Sequence, residues 1–503
     1  MKCIRYSTGL AAVLCATTAT ADVTAQQVWD NWTAQMAVYG QGFTTTGEVA
    51  SDDALVVEGL SIRMTDDDAS VTAAIGTLTL SENRDGTVTV MMPDSYPITI
   101  ETTPNFGEPT LANITVTQDA MALRVSGEPD AMVYDVTADR YALRLDSLTG
   151  GQSINVEVVE AVVAILDLSG TYSVTADTLT RIAYDMAIGA MDIDVEFNEA
   201  DGNGTFTLNG DMADLNIFAK VAAPPDIDMQ ADQPPFAEGL AIDAGYTFGP
   251  VSYAFVADAP SNSRSGSMSS DGGELAVTVD VDGVSYIAES RDLDVSFAQT
   301  DAFPALVDIT MAQYGVDVQI PLSQGDGDPR DARLAFNITD LIVSETVWAM
   351  FDAGGVLPRT PLTVALGIDA QVTPFFDFLD PAQQEAAMMT DVPGELNSAQ
   401  ITELTIRGAG AEMTGDGAFT FDNSDLETFD GLPRPLGQMS FAINGANALI
   451  DNLTEMGLIA GQDAMVPRMM LGMFTTPVGE DMLSATIEVN AEGHLLANGQ
   501  RLR

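Results

Sequence analysis

The sequence contains almost no cysteine or histidine. Its two cysteines, Cys3 and Cys15, lie at the amino terminus, and its single histidine is His494. Disulfide bonds, thiol catalysis and zinc sites built from several histidines or cysteines are therefore excluded for the rest of the chain. A Ser-His-Asp triad would depend on His494 alone, and no Gly-x-Ser-x-Gly motif accompanies it. The glycine-rich phosphate-binding motifs of nucleotide enzymes are missing as well.

Positive charge is also scarce. The chain carries 19 lysines and arginines against 74 aspartates and glutamates, a formal net charge of −55. Nucleic acid is excluded as a partner, because its affinity depends on Lys and Arg that neutralise phosphates. Anionic membrane surfaces are disfavoured for the same electrostatic reason. With 46% hydrophobic residues the chain is too apolar for a disordered protein, so the acidity predicts a folded protein that is soluble in a salty medium.

The first residues have the composition of a cleavable signal peptide. Lys2 and Arg5 precede a stretch of apolar and small residues, and Ala19 and Ala21 occupy the −3 and −1 positions that signal peptidase requires. We therefore expect residues 1–21 to be removed and the mature chain to begin at Asp22. This signal predicts the periplasm, with the extracellular space as a less favoured destination.

Cys15 provides an alternative to this cleavage. A lipoprotein signal would attach lipid at Cys15, but Leu14 occupies the preceding position, where glycine or alanine is expected. We therefore favour cleavage before Asp22 over a lipid-anchored protein. The apolar stretch is also shorter than the roughly 20 residues that a transmembrane helix needs.

Alternating polar and apolar residues dominate the middle of the chain. Residues 191–197 alternate Met, Ile, Val and Phe with acidic residues, and residues 275–281 repeat the pattern with Leu and Val. A period of two is typical of a strand with one wet face, and the Asp-Gly pairs at 85–86 and 282–283 predict tight hairpins. We predict a mainly β fold, a long, twisted antiparallel sheet or sandwich-like assembly with a few packed helices, most of them in the last third.

Two stretches predict interruptions of the strands. Residues 224–235 contain two Pro-Pro pairs, which exclude a central strand. We place a division there, between an N-terminal helix with a β-rich region at 22–225 and a second β-rich region at 226–503 that ends in strand, helix, helix and strand. Residues 261–273 are rich in serine and glycine and predict a flexible loop.

Helical spacing follows the proposed cleavage site. Thr24 and Gln27 form a capping box ahead of an aromatic stripe that includes Trp29 and Trp32. We expect this stripe to pack on the body of the protein, and the alternative is a detachable helix that binds a partner.

A second helical pattern, rich in methionine, follows Asp463. Methionine side chains adapt to varied apolar partners, so this helix is a candidate contact surface, and ordinary core filling is the alternative. The candidate contact residues are Met465, Met469, Met470 and Met473.

Carboxylates are the abundant candidates for catalytic or metal-binding groups in this chain. A glycosidase needs two carboxylates about 5–10 Å apart. Because the chain has 74 acidic residues, some pair could meet this requirement by chance, so the composition does not identify a catalytic pair. Residues 199–204 begin like a calcium loop, but Gly210 stands where the loop needs a bidentate Glu. The acidic turn at 325–328 is equally ambiguous. We expect both turns to be structural rather than divalent-cation sites, and we predict no cofactor, no metal and no assignable catalytic residue.

Three segments carry a resemblance to a known family. They are residues 23–29 with Trp32, residues 441–471, and residues 492–500. On these segments the chain resembles the alphaproteobacterial exported proteins named domain of unknown function 2125. The resemblance implies an exported protein of this architecture and no activity, because none of the matching residues forms a catalytic motif. The strand–helix–helix–strand ending is also similar to that of envelope proteins whose curved sheets hold lipid.

The sequence therefore favours a non-enzymatic periplasmic protein that binds or scaffolds, by holding a lipid or another apolar ligand or by contacting an envelope protein. A carboxylate-based hydrolase acting on envelope glycans is the alternative. A continuous apolar lining on one face of the sheet favours the carrier. Two carboxylates that converge beside exposed aromatic rings favour the hydrolase.

Overall fold

The structure is a computed structural model of the chain. It describes residues 23–38, 42–66, 68–102, 109–150, 156–199, 203–224, 236, 239–260, 262–300, 306–324, 326–390 and 392–502. Strands account for 67% and helices for 10%, which confirms the prediction of a mainly β fold with few helices, most of them late in the chain. Among the described residues, no helix is long and apolar enough to cross a membrane.

The described elements have the following bounds. The helices are α1 (Ala25–Val38), α2 (Glu345–Trp348), α3 (Pro381–Met388), α4 (Ala446–Glu455) and α5 (Met465–Phe474). The strands of the first half are β1 (Gly42–Thr44), β2 (Gly47–Ala50), β3 (Ala54–Thr65), β4 (Ala69–Glu82), β5 (Val88–Met91), β6 (Ser95–Thr102), β7 (Thr110–Asp119), β8 (Ala122–Glu128), β9 (Ala131–Gly150), β10 (Val156–Ala176), β11 (Thr180–Glu199) and β12 (Thr205–Ala223). The later strands are β13 (Ala241–Phe248), β14 (Val251–Ala259), β15 (Asn262–Ser270), β16 (Gly272–Val279), β17 (Gly283–Gln299), β18 (Leu306–Pro321), β19 (Arg330–Val343), β20 (Leu362–Pro374), β21 (Gly394–Gly408), β22 (Ala411–Asp422), β23 (Arg434–Asn444), β24 (Thr476–Gly479), β25 (Met482–Val489), β26 (Leu495–Ala497) and β27 (Gln500–Arg501).

These 27 strands form one antiparallel sheet that follows the order of the chain. Some rows of the sheet are single long strands, such as β10, β11 and β12. Others consist of two short strands end to end: β13 and β14 together pair along β12 in one register, and β15 and β16 together pair along β17. Short connections between successive rows explain this order, because strands joined by tight turns become antiparallel neighbours.

A line of left-handed residues crosses the long rows, and we call it the seam. Positive φ is uncommon outside glycine, and a short Asp side chain tolerates it better than most. The left-handed aspartates of the seam, with φ of 52°, 51°, 47° and 53° in order, are Asp167 of β10, Asp214 of β12, Asp292 of β17 and Asp340 of β19. The rows made of two strands are interrupted at the same line, at residues 249–250 and at residue 271.

At Asp167, Asp214 and Asp292, strand pairing stops at the seam and resumes without a change in register. On β10, Leu166 pairs with Ala190 and Leu168 pairs with Ile188, so Asp167 lies unpaired opposite Gly189. A Cβ on Gly189 would lie 3.0 Å from the Cβ of Asp167. Glycine therefore provides the space that the left-handed aspartate takes up.

At the seam, the apolar positions of a strand change between even-numbered and odd-numbered residues. On β12, even-numbered apolar residues such as Leu208 and Met212 precede Asp214, and odd-numbered ones such as Leu215 and Ile217 follow it. Residues directly opposite each other in antiparallel strands lie on the same face. The partners of these residues on β11, β13 and β14 are also mostly apolar. It follows that one face of the sheet stays apolar on both sides of the seam.

Helix α1 covers the apolar face at the first strands. The predicted capping box is present: the Thr24 backbone N–H donates to Gln27 Oε1 at 2.9 Å, and the Gln27 N–H donates to Thr24 Oγ1 at 3.3 Å. Val28 and Trp29 are buried against β3, β4 and β5. The aromatic stripe thus packs on the body of the protein, as predicted, and burial of such side chains stabilises by about 1.5–3 kcal/mol each.

The flexible loop predicted at residues 261–273 is wrong, because β15 and β16 occupy nearly all of it. Small residues are needed there for a packing reason. A Cβ on Gly266 would lie 2.5 Å from the ring of Phe255 on the neighbouring strand, so the glycine makes room for that ring.

Residues 225–235, where we placed a domain division, lie outside the described residues. Because β12 pairs with both β13 and β14, hydrogen bonding continues across this position, and the division stays a prediction.

The seam generates a first prediction. We expect Asp214→Val to destabilise the protein by about 1–2 kcal/mol, since a β-branched residue in the left-handed region is strained. Asp214→Gly should be nearly neutral, because glycine adopts this conformation freely. Urea unfolding at equilibrium measures both changes. The control is Asp194→Val, an exposed Asp on β11 with ordinary backbone. Equal losses for Asp194→Val and Asp214→Val would contradict the role of the seam.

The polar face generates a second prediction, because carboxylates face each other across its strands. Asp192 lies opposite Asp211, and Glu160 lies opposite Glu196. Like charges in this position repel, and salt screens the repulsion, so we expect NaCl to raise the melting temperature.

A charge reversal isolates this contribution. Asp192→Lys should increase stability by about 0.2–1 kcal/mol and reduce the salt dependence. Asp194→Lys, which makes the same change of charge opposite Asn209, is the matched control. Thermal melts over a range of NaCl concentrations compare the two variants. Identical behaviour would show that general charge, and not the facing pair, sets the salt response.

Candidate functional site

One row of residues runs along the apolar face from α1 to the last strands. Each member is directly opposite the next on the neighbouring strand, and none of them is charged. We call it the apolar row, and it consists of Val125, Tyr134, Tyr172, Tyr184, Ala219, Ala244, Val277, Tyr286, Val318, Leu334, Ile368, Ile401, Gly417, Met439 and Ile487. At about 4.8 Å per strand, it extends roughly 67 Å along the sheet.

The first end of the apolar row is closed by α1. The rings of Trp32 and Tyr134 are stacked with centroids 6.3 Å apart, and Tyr134 contacts Tyr172 at 5.7 Å. The Tyr134 hydroxyl also donates a hydrogen bond of 3.0 Å to Asn31 on the helix. Aromatic contacts and burial therefore hold the helix over this end of the row.

Over the middle of the apolar face, no described helix or strand provides such cover. Tyr184, Tyr286 and Leu334 of the row are each more than one third exposed, and Leu334 is 47% exposed. Five further residues of this face, beside the row, are also more than one third exposed: Tyr246, Met268, Phe297, Tyr314 and Ile320. Exposed apolar surface of this extent on one face is typical of a site that binds another molecule.

Aromatic rings lie across glycines on this face. A Cβ on Gly210 would lie 2.0 Å from the ring of Tyr253. A Cβ on Gly266 would likewise lie 2.5 Å from the ring of Phe255. Rings placed over glycine cover backbone polar groups with apolar surface. They make the face apolar without a second layer of protein.

The other end of the apolar face leads into a cavity of about 1160 Å³. Its floor is the sheet, with Ile406, Met413, Phe441, Ile443 and Ile487. Ile406, Met413 and Ile443 are consecutive cross-strand partners that continue the pairs from Tyr314, so the floor continues the exposed face. Ligand sites of proteins commonly enclose about 300–1,000 Å³, so this cavity is large.

Helices form the roof of the cavity. The roof residues are Val347, Trp348 and Phe351 near α2, Leu449 and Ile450 of α4, and Pro467, Met470, Leu471 and Phe474 of α5. Only a few charged side chains, among them Glu345, Arg359, Arg407 and Glu412, line this space. The lining is therefore suited to hydrocarbon, with charges limited to a small number of defined places.

Arg359 organises the polar rim next to α2. Its guanidinium lies 4.4 Å from the centroid of the Trp348 ring, and it pairs with Glu345 at 3.0 Å and Asp352 at 2.5 Å. Asp352 is buried and also accepts the backbone N–H of Val356 and Leu357, each at 3.0 Å. The hydrogen bond from Arg359 lowers the pKa of Asp352, and burial raises it. Together with the two N–H groups, the arginine outweighs burial and brings the pKa to about 2.

Asp481 holds α4 in place from a different part of the chain. The helix begins after Gly445, which provides no side-chain cap. Asp481 accepts the backbone N–H of Asn447 at 3.1 Å and that of Ala448 at 3.0 Å, which satisfies amides that a helix start leaves free. Burial raises the pKa of Asp481, but these hydrogen bonds outweigh it and keep the pKa below its usual value.

Arg407 joins the cavity to the seam. It forms an ion pair with Asp340, the last left-handed aspartate of the seam, and donates to Thr363 Oγ1 at 3.0 Å. Asp340 also lies at a shift in the pairing of β19 with β20. The seam therefore ends at the wall of the cavity, where an arginine compensates its charge.

The four methionines singled out in the sequence lie on α5. Met470 lines the cavity, and all four are more than half exposed. Core filling does not describe such exposed side chains. Ala19, Ala21 and Asp22 of the expected cleavage site lie outside the described residues.

The structure gives no support to carboxylate catalysis at a particular place. Where a carboxyl pKa is resolved among the described residues, it is lowered, whereas a general acid needs a raised one. Among the same residues, no group of three or more His, Cys, Asp or Glu side chains is placed to hold a metal ion. Parts of both acidic turns, residues 200–202 and 325, lie outside the described residues.

Sequence reasoning missed the apolar row and the cavity floor. The signal was present in the change from even to odd apolar positions at Asp214, and in the same change on β11 near Gly189. A strict period of two treats such a change as the end of a strand. Reading it as a kink within one strand would have predicted a single face across both segments.

The site generates a prediction about acid. The pKa of Asp352 is about 2 in the folded protein and about 3.9 in an unfolded chain. Because the folded value is lower, the stability contributed by this carboxylate is present above about pH 4 and is lost as the pH falls through about 2. Asp352→Asn should therefore lower the melting temperature near neutral pH, and its difference from wild type should shrink toward about pH 2.

Thermal melts at several pH values test this, with Asp416→Asn as control because Asp416 is an exposed carboxylate of β22. A difference between Asp352→Asn and wild type that stays constant with pH would contradict the assigned role.

No model of a known protein family matches the sequence, and no curated protein matches it.

Proposed function

We propose that the protein binds the hydrocarbon chains of a lipid, or another long apolar molecule, along its apolar face and in the cavity. The observation that carries this proposal is the continuity of the two: the exposed face between α1 and the last strands leads without a charged interruption onto the cavity floor. A binding or carrier protein needs such a surface, and a scaffold does not.

The energetics support an occupant of this kind. Apolar surface removed from water contributes about 25 cal/mol per Å². Exposed apolar patches on soluble monomers rarely exceed a few hundred Å², and larger ones mark binding sites. The exposed tyrosines, leucines and isoleucines of the face gain this free energy only when another molecule covers them.

The aromatic residues on the face fit the same ligand class. The large exposed residues along the row are mostly Tyr, whose rings offer apolar area while their hydroxyls remain near water. A long, weakly polar lining of this kind selects flexible hydrocarbon by shape and burial rather than by individual hydrogen bonds.

The same proposal includes the compartment and the family. The signal-like residues 1–21 support export to the periplasm, where a lipid carrier has envelope lipids as ligands. The likeness to the family named domain of unknown function 2125 supports the same compartment. The hydrolase alternative has no observation among the described residues in its favour.

Binding can be tested with charge placed on the face. We expect Leu334→Asp, in the middle of the apolar row, and Ile406→Asp, on the cavity floor, each to weaken binding of a fluorescent fatty acid by about tenfold or more. A carboxylate in contact with hydrocarbon is costly because it must stay hydrated or become neutral. Titrations of the purified protein in the absence of detergent measure the dissociation constants.

The matched control is Gln319→Asp. Gln319 is exposed on β18 beside Ile320 but on the polar face, opposite Arg333. Circular dichroism establishes that each variant is folded. Native mass spectrometry of wild-type protein should in addition reveal bound lipid. Absence of both bound lipid and saturable dye binding would refute the proposed function.

A further inference from the structure

Helix α5 is apolar on two opposite sides. Its inner side, with Pro467, Leu471 and Phe474, lines the cavity. Its outer side carries Met465 and Met469, which are 70% and 63% exposed. A helix that is apolar all round is normally surrounded by apolar material. Among the residues that the structure describes, none covers the outer side of α5 in the way its composition calls for.

Four exposed apolar residues lie on the outer side of α5, and we call them the α5 surface. They are Met465, Val466, Met469 and Met473, each more than half exposed. Residues 457–479 contain one acid, Asp463, and one base, Arg468. Arg468 is paired with Asp451 of α4. The α5 surface is thus almost uncharged in a protein with a net charge of −55.

This charge distribution selects the occupant. A second copy of the chain would bring another large negative charge to the contact, which electrostatic repulsion disfavours. A basic protein would find its complementary charge on the acidic polar face of the sheet instead. An anionic bilayer is repelled for the same reason as a second copy. A charge-neutral bilayer matches both the apolar character and the missing charge of the surface.

We propose that the α5 surface docks on a zwitterionic lipid bilayer, an inference that rests on the proposed function and adds the source of the ligand. A helix of this length is about 15 Å long, and such helices lie in the interface with one face buried about 5–10 Å. The flexible, polarizable methionines suit contact with disordered acyl chains.

Docking places the cavity next to the bilayer. Because α5 is part of the roof, its inner residues border the cavity while its outer residues enter the acyl chains. A lipid that leaves the bilayer beside α5 then reaches the cavity without crossing the acidic polar face. The α5 surface is in this sense the entrance side of the site.

Flotation with phosphatidylcholine vesicles tests the docking. We expect wild-type protein to float with the vesicles, and the double variant Met465→Gln with Met469→Gln to lose about tenfold or more in apparent affinity. The control is Met388→Gln with Met389→Gln, which changes two methionines that are 80% and 83% exposed at the end of α3. These follow the opposite end of β20 from the cavity, so their replacement should leave flotation unchanged.

A second readout separates docking from ligand binding. Titration of the fluorescent fatty acid without vesicles should give the same dissociation constant for the α5 double variant and wild type, because neither substituted residue lines the cavity. If wild-type protein floats with the vesicles but does not bind the dye, the proposed function is refuted and the docking is not.

The docking itself would be overturned by no flotation of wild type, by an equal loss in the Met388 and Met389 control, or by a wild-type dimer in sedimentation that the α5 variant converts to monomer. The last would identify a second copy as the occupant. Stronger flotation with phosphatidylglycerol vesicles would also contradict it, since it would require positive charge that the surface lacks.

Discussion

The structure depends on one constraint: all described strands belong to a single sheet, so no second sheet among the described residues covers its apolar face. In a sandwich, two such faces cover each other and form a dry core. Here α1 covers the first strands, and α2, α4 and α5 stand over the last ones with a cavity beneath. Between them, residues such as Tyr286 and Leu334 remain exposed. The unequal distribution of cover along one continuous face accounts for both the tight core at one end and the space at the other.

The seam makes this continuous face compatible with long strands. Rows such as β10 and β12 run for about twenty residues, and a flat strand of that length is unusual because sheets twist. A left-handed aspartate interrupts each of several rows at the same level, with glycine opposite in at least two places. On β10 and β12 register is kept across the interruption, so the apolar residues on its two sides still belong to one face. Local backbone strain at a few residues thereby preserves a surface of much greater extent.

The acidic composition is divided between the two faces. Carboxylates such as Asp192 and Asp194 alternate with the apolar residues of β11 and so lie on the polar face. The apolar row contains no charge, and the arginines at the cavity are held by carboxylates, Arg359 by Asp352 and Arg407 by Asp340. A high net charge favours solubility. This division allows a strongly acidic chain to keep one face of its sheet apolar.

The sequence by itself determined the β class, the antiparallel order and the capping box at Thr24, because each depends on residues close together in the chain. Local pattern misled at residues 261–273, where the ring of Phe255 on a neighbouring strand explains a glycine that composition alone assigns to a loop. Only the tertiary structure decided that no described element covers the middle of the sheet, that Asp481 caps a helix 33 residues before it, and that the outer methionines of α5 face away from the cavity. The reason is physical: a strand's own residues fix its alternation, but what covers its apolar side depends on where distant elements are placed.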